Sequence, residues 1–325
     1  MMKRIIAMVA AALTLFPSCL MIMDSGEDGR SVFYVECIQG LSDTTAISVI
    51  ATAPKFGYEK SRVLSDVNVT LKAGGREIPL SNAEVAAEMF PKGAFYTTEK
   101  IQGGQTLEIN VTGEGLDPVK AVTFKPYDPK PFTVRMERTT LYDDGLPDRN
   151  SKMIRMEITP DDPDISEHFY ALVFDEKRYN ADGTVSYLHP SPFLESEGFI
   201  YSSTFGDDLV VRTACSPWSL FKNNYSYVSD SIDPIYLWRG ASLKKEGSIT
   251  VYFFEPEYRC EYRVRLMEVS PEFYRYSKSL EYREDYNEAL VPFFPSSYSY
   301  TNVEGGCGVF ASVGRLDGEW MELPE

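Results

Sequence analysis

Two histidines, His168 and His189, are the only imidazoles in the chain, so any nucleophilic machinery with a histidine base must use one of them. The local sequence gives neither a companion. There is no Gly-x-Ser-x-Gly elbow, His168 opens an alternating apolar run, and His189 precedes Pro190 in a turn-like stretch. Both read as ordinary surface or part-buried histidines, and no catalytic residue is assigned. The acidic runs come next. Asp143, Asp144 and Asp148 share one segment with Asn150, and Asp161, Asp162 and Asp164 share another. Clustered oxygen ligands suit calcium, which makes the first run a weak calcium candidate, but neither run has calcium-loop spacing. Turns also demand these residue types. Cys37, Cys215, Cys260 and Cys307 show no Cys-x-x-Cys spacing, so neither a zinc site nor any cofactor is expected. Their disulfide state stays open, because an exported chain permits pairing while Cys37 and Cys260 fall where buried strand residues fall. The remaining chemistry is aromatic. Within Trp218–Tyr227, an apparent long loop, Trp218, Tyr225 and Tyr227 form a candidate ligand-binding surface through ring stacking. The competing explanation is that tyrosine is simply a common strand residue.

Cys19 carries a different chemistry. Lys3 and Arg4 precede an apolar run from Ile5 to Phe16, and Leu15-Phe16-Pro17-Ser18-Cys19 resembles a loose bacterial lipobox with Ser18 as the small residue before the cut. Basic, apolar and small in that order describe a secretory signal peptide over 1–18, and a cysteine at the first mature position predicts lipidation of Cys19. The apolar run spans about 18 Å as a helix, against a hydrocarbon core of about 30 Å, so it does not cross a bilayer. Each buried CH₂ contributes about 0.8 kcal/mol, so several acyl chains on one cysteine anchor durably. Loss of Lys3 and Arg4 takes the formal net charge from −16 to about −18. So acidic a body repels phosphate backbones, and nucleic acid is excluded as an expected partner.

The elements that must position these residues are strands. Leu20–Arg30 forms a tether reaching at most about 40 Å from the lipid. Val67, Val69 and Leu71 then alternate with Asn68, Thr70 and Lys72, and Leu107, Ile109 and Val111 with Glu108, Asn110 and Thr112. Period-two patterning of this kind predicts strands with one wet face. With Val32–Ile38, Ile47–Thr52 and Val119–Phe124 it predicts an immunoglobulin-like antiparallel β-sandwich over 31–125. Three prolines in 126–131 read as a stiff connector. Residues 132–325 resume the alternation, which predicts a second β-rich, sandwich-type domain in a mainly β chain. That domain holds one helix, predicted over 270–290, with Ser270 as N-cap, Pro271 at the first position and Phe273, Tyr276 and Leu280 on its apolar stripe. A last hairpin is predicted from Tyr298–Val303 and Gly308–Val313.

Ser270-Pro271-Glu272-Phe273-Tyr274-Arg275-Tyr276, then Ser279-Leu280-Glu281, then Asn302 through Phe310 (NVEGGCGVF) resemble the C-terminal ending of a family of Bacteroidota outer-membrane lipoproteins, domain of unknown function 4249. The Val67–Leu71 strand and the Val122–Pro126 exit fit as well. The resemblance implies a β-rich fold and a link to TonB-dependent uptake systems, and it supplies no catalytic residues. The function expected is therefore that of a lipid-anchored, non-enzymatic binding or docking accessory of an outer-membrane transporter, with the membrane face left open. An adhesin or surface-assembly subunit, and a glycan hydrolase working through paired carboxylates, are the alternatives.

Overall fold

The computed structural model describes residues 31–41, 43–52, 62–64, 66–82, 94–141, 151–162, 164, 167–188, 200–201, 210–212, 235–241, 247–284 and 300–324. The strands run β1 (Phe33–Gln39), β2 (Thr45–Ala51), β3 (Arg62–Val63), β4 (Val67–Ala73), β5 (Arg76–Ile78), β6 (Ser81–Asn82) and β7 (Phe95–Thr97). They continue β8 (Thr106–Gly113), β9 (Leu116–Phe124), β10 (Phe132–Leu141), β11 (Ser151–Pro160), β12 (Phe169–Tyr179), β13 (Val185–Leu188) and β14 (Ile200–Tyr201). The last are β15 (Val210–Arg212), β16 (Ile235–Arg239), β17 (Ile249–Phe254), β18 (Cys260–Val269), β19 (Val303–Glu304), β20 (Cys307–Asp317) and β21 (Met321–Glu322), with helix α1 (Pro271–Glu284) after β18. The chain is mainly β and sandwich-type, as its alternation predicts.

One large sheet organises the molecule, in the order β15-β16-β12-β18-β20-β1-β2-β7-β6. Two smaller sheets lie side by side on one of its faces. The five-stranded sheet β19-β9-β8-β4-β5 buries Leu71, Leu107, Ile109, Val111 and Val119 against Phe33, Val35, Ile47 and Phe310. The four-stranded sheet β10-β11-β17-β14 buries Ile154, Met156, Val251 and Phe253 against Tyr170, Phe174, Tyr262 and Val264. Along β12 the alternation sends Tyr170, Leu172 and Phe174 to that core and Ala171 and Val173 to the opposite face, under α1. Both faces of the central strands are therefore covered, which is why β2 is buried along its whole length and Phe169–Phe174 of β12 reads as a continuous apolar run.

The large sheet is not divided at the proline-rich connector. β1 pairs in parallel with β20, from Tyr34 opposite Cys307 to Gln39 opposite Ser312, and β19 pairs with β9. Alternation alone predicts a sandwich closed within 31–125, yet two of its strands come from 303–317, because period two reports which face is buried and not which strand lies alongside. The predicted last hairpin is corrected for the same reason: β19 and β20 lie in different sheets, joined by the Gly305-Gly306 turn. Gly308 has φ +105, and a Cβ there would strike the Val35 carbonyl oxygen, so only glycine allows β20 this approach to β1. The connector crosses the same face at Gly314, whose missing side chain makes room for the Tyr127 carbonyl.

Helix α1 locks this arrangement from the other side. Phe273, Tyr274 and Tyr276 are buried on the large sheet; the side chain of Leu280 and residues 285–290 lie outside the described residues. Ser270 holds the expected N-cap position, its carbonyl accepting the Tyr274 N–H at 3.3 Å, but its side chain is used across the sheet. Its N–H donates to the Ser312 carbonyl at 2.9 Å and its Oγ accepts from the Ser312 N–H at 3.3 Å, tying the helix start to β20. Thr123 of β9 donates to the Glu272 carboxylate at 2.9 Å.

Lys125, where β9 meets the connector, is 5% exposed, and its ammonium donates to the Val313 carbonyl. Burial pulls its pKa down from 10.5 to about 8, against the attraction of Asp128. Between those two values the unfolded chain holds a proton that the native chain has released, so this group adds stability as pH rises through the window. Urea unfolding at pH 7.5 and pH 10 should show the wild type gaining on the order of 2 kcal/mol over that interval relative to Lys125→Met, which keeps the apolar stem without the charge.

Candidate functional site

Several sequence-derived candidates fall outside the described residues: Cys19, Asp143, Asp144, Asp148, His189, Trp218, Tyr225 and Tyr227. His168 is described, and its Nδ1 lies 2.8 Å from Glu268 Oε1. Burial pushes the Glu268 carboxyl up, with the His168 charge opposing it. Alongside, Tyr170 donates to Asp162 Oδ2 at 2.6 Å, and Asp162 Oδ1 accepts the Asp164 N–H at 3.0 Å. The second acidic run is thus spent on a turn and on holding a tyrosine. Among the described residues no group of three His, Cys, Asp or Glu is placed to hold a metal. Cys37, Cys260 and Cys307 are buried free thiols. Burial pushes the pKa of Cys260 to about 11 and of Cys307 to about 12, so neither is a thiolate at neutral pH.

The richest exposed chemistry gathers elsewhere, at the end of the second core where β17 turns into β18. A shallow groove of about 460 Å³ is lined by Arg138, Glu255, Tyr258, Arg259, Cys260 and Glu322, among others. The β12–β18 ladder adjoins it at Cys260, setting Lys177 opposite Glu261 and Arg178 opposite Cys260. Two of the guanidinium groups, those of Arg178 and Arg259, are each held by a carboxylate and a ring. Arg178 Nε donates to Glu176 at 3.0 Å while its guanidinium lies 4.1 Å from the Tyr258 ring centre. Arg259 donates to Glu322 at 2.8 Å and lies 4.5 Å from the Tyr179 ring centre. Arg138 donates to Glu255 at 2.9 Å, and Lys177 reaches Glu261 at 2.9 Å. The Tyr179 hydroxyl and then Lys177 hold the Glu261 carboxylate below its ordinary range. The product is a set of arginines and tyrosines fixed in orientation, half apolar and half hydrogen-bonding, which recognises planar and charged groups at low entropic cost.

A buried carboxylate lies farther along the same strands. Asp175 of β12 is fully buried; Arg263 donates to its Oδ2 from Nε at 2.9 Å and from Nη2 at 2.6 Å, and Arg265 donates to its Oδ1 at 2.7 Å. The Arg263 guanidinium sits 4.8 Å from the Trp320 ring centre, and Arg315 and Asp317 of β20 continue the network. The Asp175 carboxylate ties β12 to β18, and Arg263 carries the link on to Asp317 of β20.

Sequence reasoning missed this site because its members are scattered over positions 138, 176–179, 255–261 and 322. The one local signal was a tyrosine–arginine pair, Tyr258-Arg259, in a short turn between two alternating strands.

A profile described as "Domain of unknown function (DUF4249)" matches residues 24–317, and the chain belongs to that family. No curated protein matches the chain. A solved structure titled "Biofilm associated protein - B domain" aligns over 89% of this chain and 85% of that one, at 6% identity. The TM-score of that alignment is 0.17.

Removing Asp175 would strip two guanidinium groups of their close carboxylate partner at a largely buried position, leaving Arg263 only the more distant Asp317. Asp175→Ala should cost about 3–5 kcal/mol in urea unfolding, whereas Arg259→Ala, on the exposed rim, should stay within about 1 kcal/mol of wild type.

Proposed function

We propose that this protein is a lipoprotein held on the outer membrane through Cys19, acting without catalysis as a docking accessory of a TonB-dependent type of uptake system. The observation that carries the reading is the groove at Arg138, Tyr258 and Arg259, where guanidinium groups and tyrosine rings are immobilised against each other before any partner arrives. Such residues dominate the energetics of protein interfaces, and immobilising them in advance lowers the ordering cost of binding. The basic and apolar segments before Cys19 support the anchor, and a tether of at most about 40 Å keeps the groove within reach of a partner in the same membrane.

The test is made on native membranes. Mass analysis should find acyl chains on Cys19 at the mature N-terminus. Gentle solubilisation should then co-purify a transporter, with recovery falling at least tenfold in the double variant Tyr258→Ala, Arg259→Ala while its unfolding curve stays near wild type. A mature chain that begins after Cys19 removes the anchor. Turnover of a glycan by the purified protein, abolished by one carboxylate substitution, overturns the non-catalytic reading.

A further inference from the structure

Every sheet ends in edge strands whose outer backbone groups are open to pairing, and proteins ordinarily keep such edges short, proline-bearing or lysine-bearing. Among the described residues every edge strand but one follows that rule by being short. The large sheet ends in β6 and β15 and carries β3, β13 and β21 beside that path, the five-stranded sheet ends in β5 and β19, and the four-stranded sheet has β14 at one end; each is two to four residues long. The exception is β10, ten residues long, which pairs with β11 alone among the described residues. It contains neither proline nor lysine. Its inner row, Phe132, Val134 and Met136, is only half-buried on the second core, and its outer row of Thr133, Arg135 and Glu137 is exposed.

We propose that β10 is a homodimerisation edge, on which a second copy of this chain lays its own β10 antiparallel about a two-fold axis at Met136. Axes at Met136 and Glu137, nearest the middle of β10, give the longest overlap, and the charge pattern decides between them. Residues directly opposite in an antiparallel pair share a face, so a two-fold axis placed on one residue sets that residue against its own copy. Centred at Arg135, two guanidinium groups meet; centred at Glu137, two carboxylates meet; centred at Arg138, two guanidinium groups meet again. Like charges directly opposite are unfavourable. Centred at Met136, Arg135 faces the second copy's Glu137 and Glu137 faces its Arg135, with Thr133 opposite Thr139 on the same face and, on the inner one, a methionine pair flanked by Val134 opposite Arg138. Arg135 has no ion pair to another described residue, and Glu137, half exposed, receives Arg155 Nη1 at 2.8 Å through Oε1 alone. Both groups have capacity for the new contact. Each copy carries a formal charge of −16, so two copies repel at long range, and the alternating signs on β10 supply attraction where the strands meet.

The test uses the full chain in mild detergent at physiological ionic strength, with mass measured by light scattering from about 10 to 500 µM, the range in which so small an interface titrates. A monomer–dimer equilibrium is expected. Arg135→Glu, an exposed change that leaves the unfolding curve in place, should weaken it at least tenfold by setting carboxylate against carboxylate. The double variant Arg135→Glu, Glu137→Arg inverts both charges and should restore dimerisation to within a few-fold of wild type. A monomer at every concentration, a dimer indifferent to Arg135→Glu, or a double variant no better than the single one would each overturn the proposal.

Discussion

The parallel pairing of β1 with β20 is the contact on which the rest of the molecule depends. Its partners lie some 270 positions apart, so the chain must bring its two ends together before either half has a complete core. Closing so long a loop costs entropy that only the finished contacts offset. Those contacts are dense. β20 contributes Phe310 to the first core, Val309, Ala311 and Val313 to the core under α1, and its distal half to β18. Removing this one strand would expose the first sandwich, unseat the helix and strip β18 of a neighbour.

Charge placement then follows from the sheet order. Because β12, β18 and β20 are adjacent, Asp175, Arg263, Arg265 and Asp317 meet on one face, beyond the region that α1 covers. Farther along the same ladder the spacing between charged residues brings Lys177 to Glu261, and Arg178 and Arg259 to tyrosine rings. The groove at Tyr258 therefore adjoins the long β12–β18 ladder, although its rim residues are individually exposed. A binding surface gains from that arrangement, since the supporting strands keep the arginines oriented while the turn that carries them remains accessible.

Much of the architecture was legible in the sequence. The alternation at Val67–Leu71 and Leu107–Val111 identified β4 and β8, with the buried and wet rows assigned to the correct faces. Pro271 and the stripe at Phe273 and Tyr276 identified α1 and its packed side. The motif from Asn302 to Phe310 was visible as a resemblance, but its reason was not. Asn302 donates to the Phe310 carbonyl at 2.8 Å, accepts the Phe310 N–H at 3.0 Å, and donates to the Val122 carbonyl at 3.2 Å. It is a strut between two sheets, and Gly308 is the gap that lets β20 reach β1. Neither role can be read without knowing the partner strand, because periodicity carries face information only. The groove was illegible for the same reason, being assembled across the sheet from charged residues that singly resemble any solvated surface.

The central claim is that the first sandwich is completed by the C-terminal strands and has no independent native state. The direct measurement is the thermal unfolding and amide protection of a fragment spanning residues 31–131 alone, set beside the same region in the full chain. The fragment should lack a cooperative transition and should leave the β1 amides unprotected, while the full chain protects them to the level of its global stability. A fragment that melts cooperatively and protects β1 as the full chain does would contradict this account of the fold.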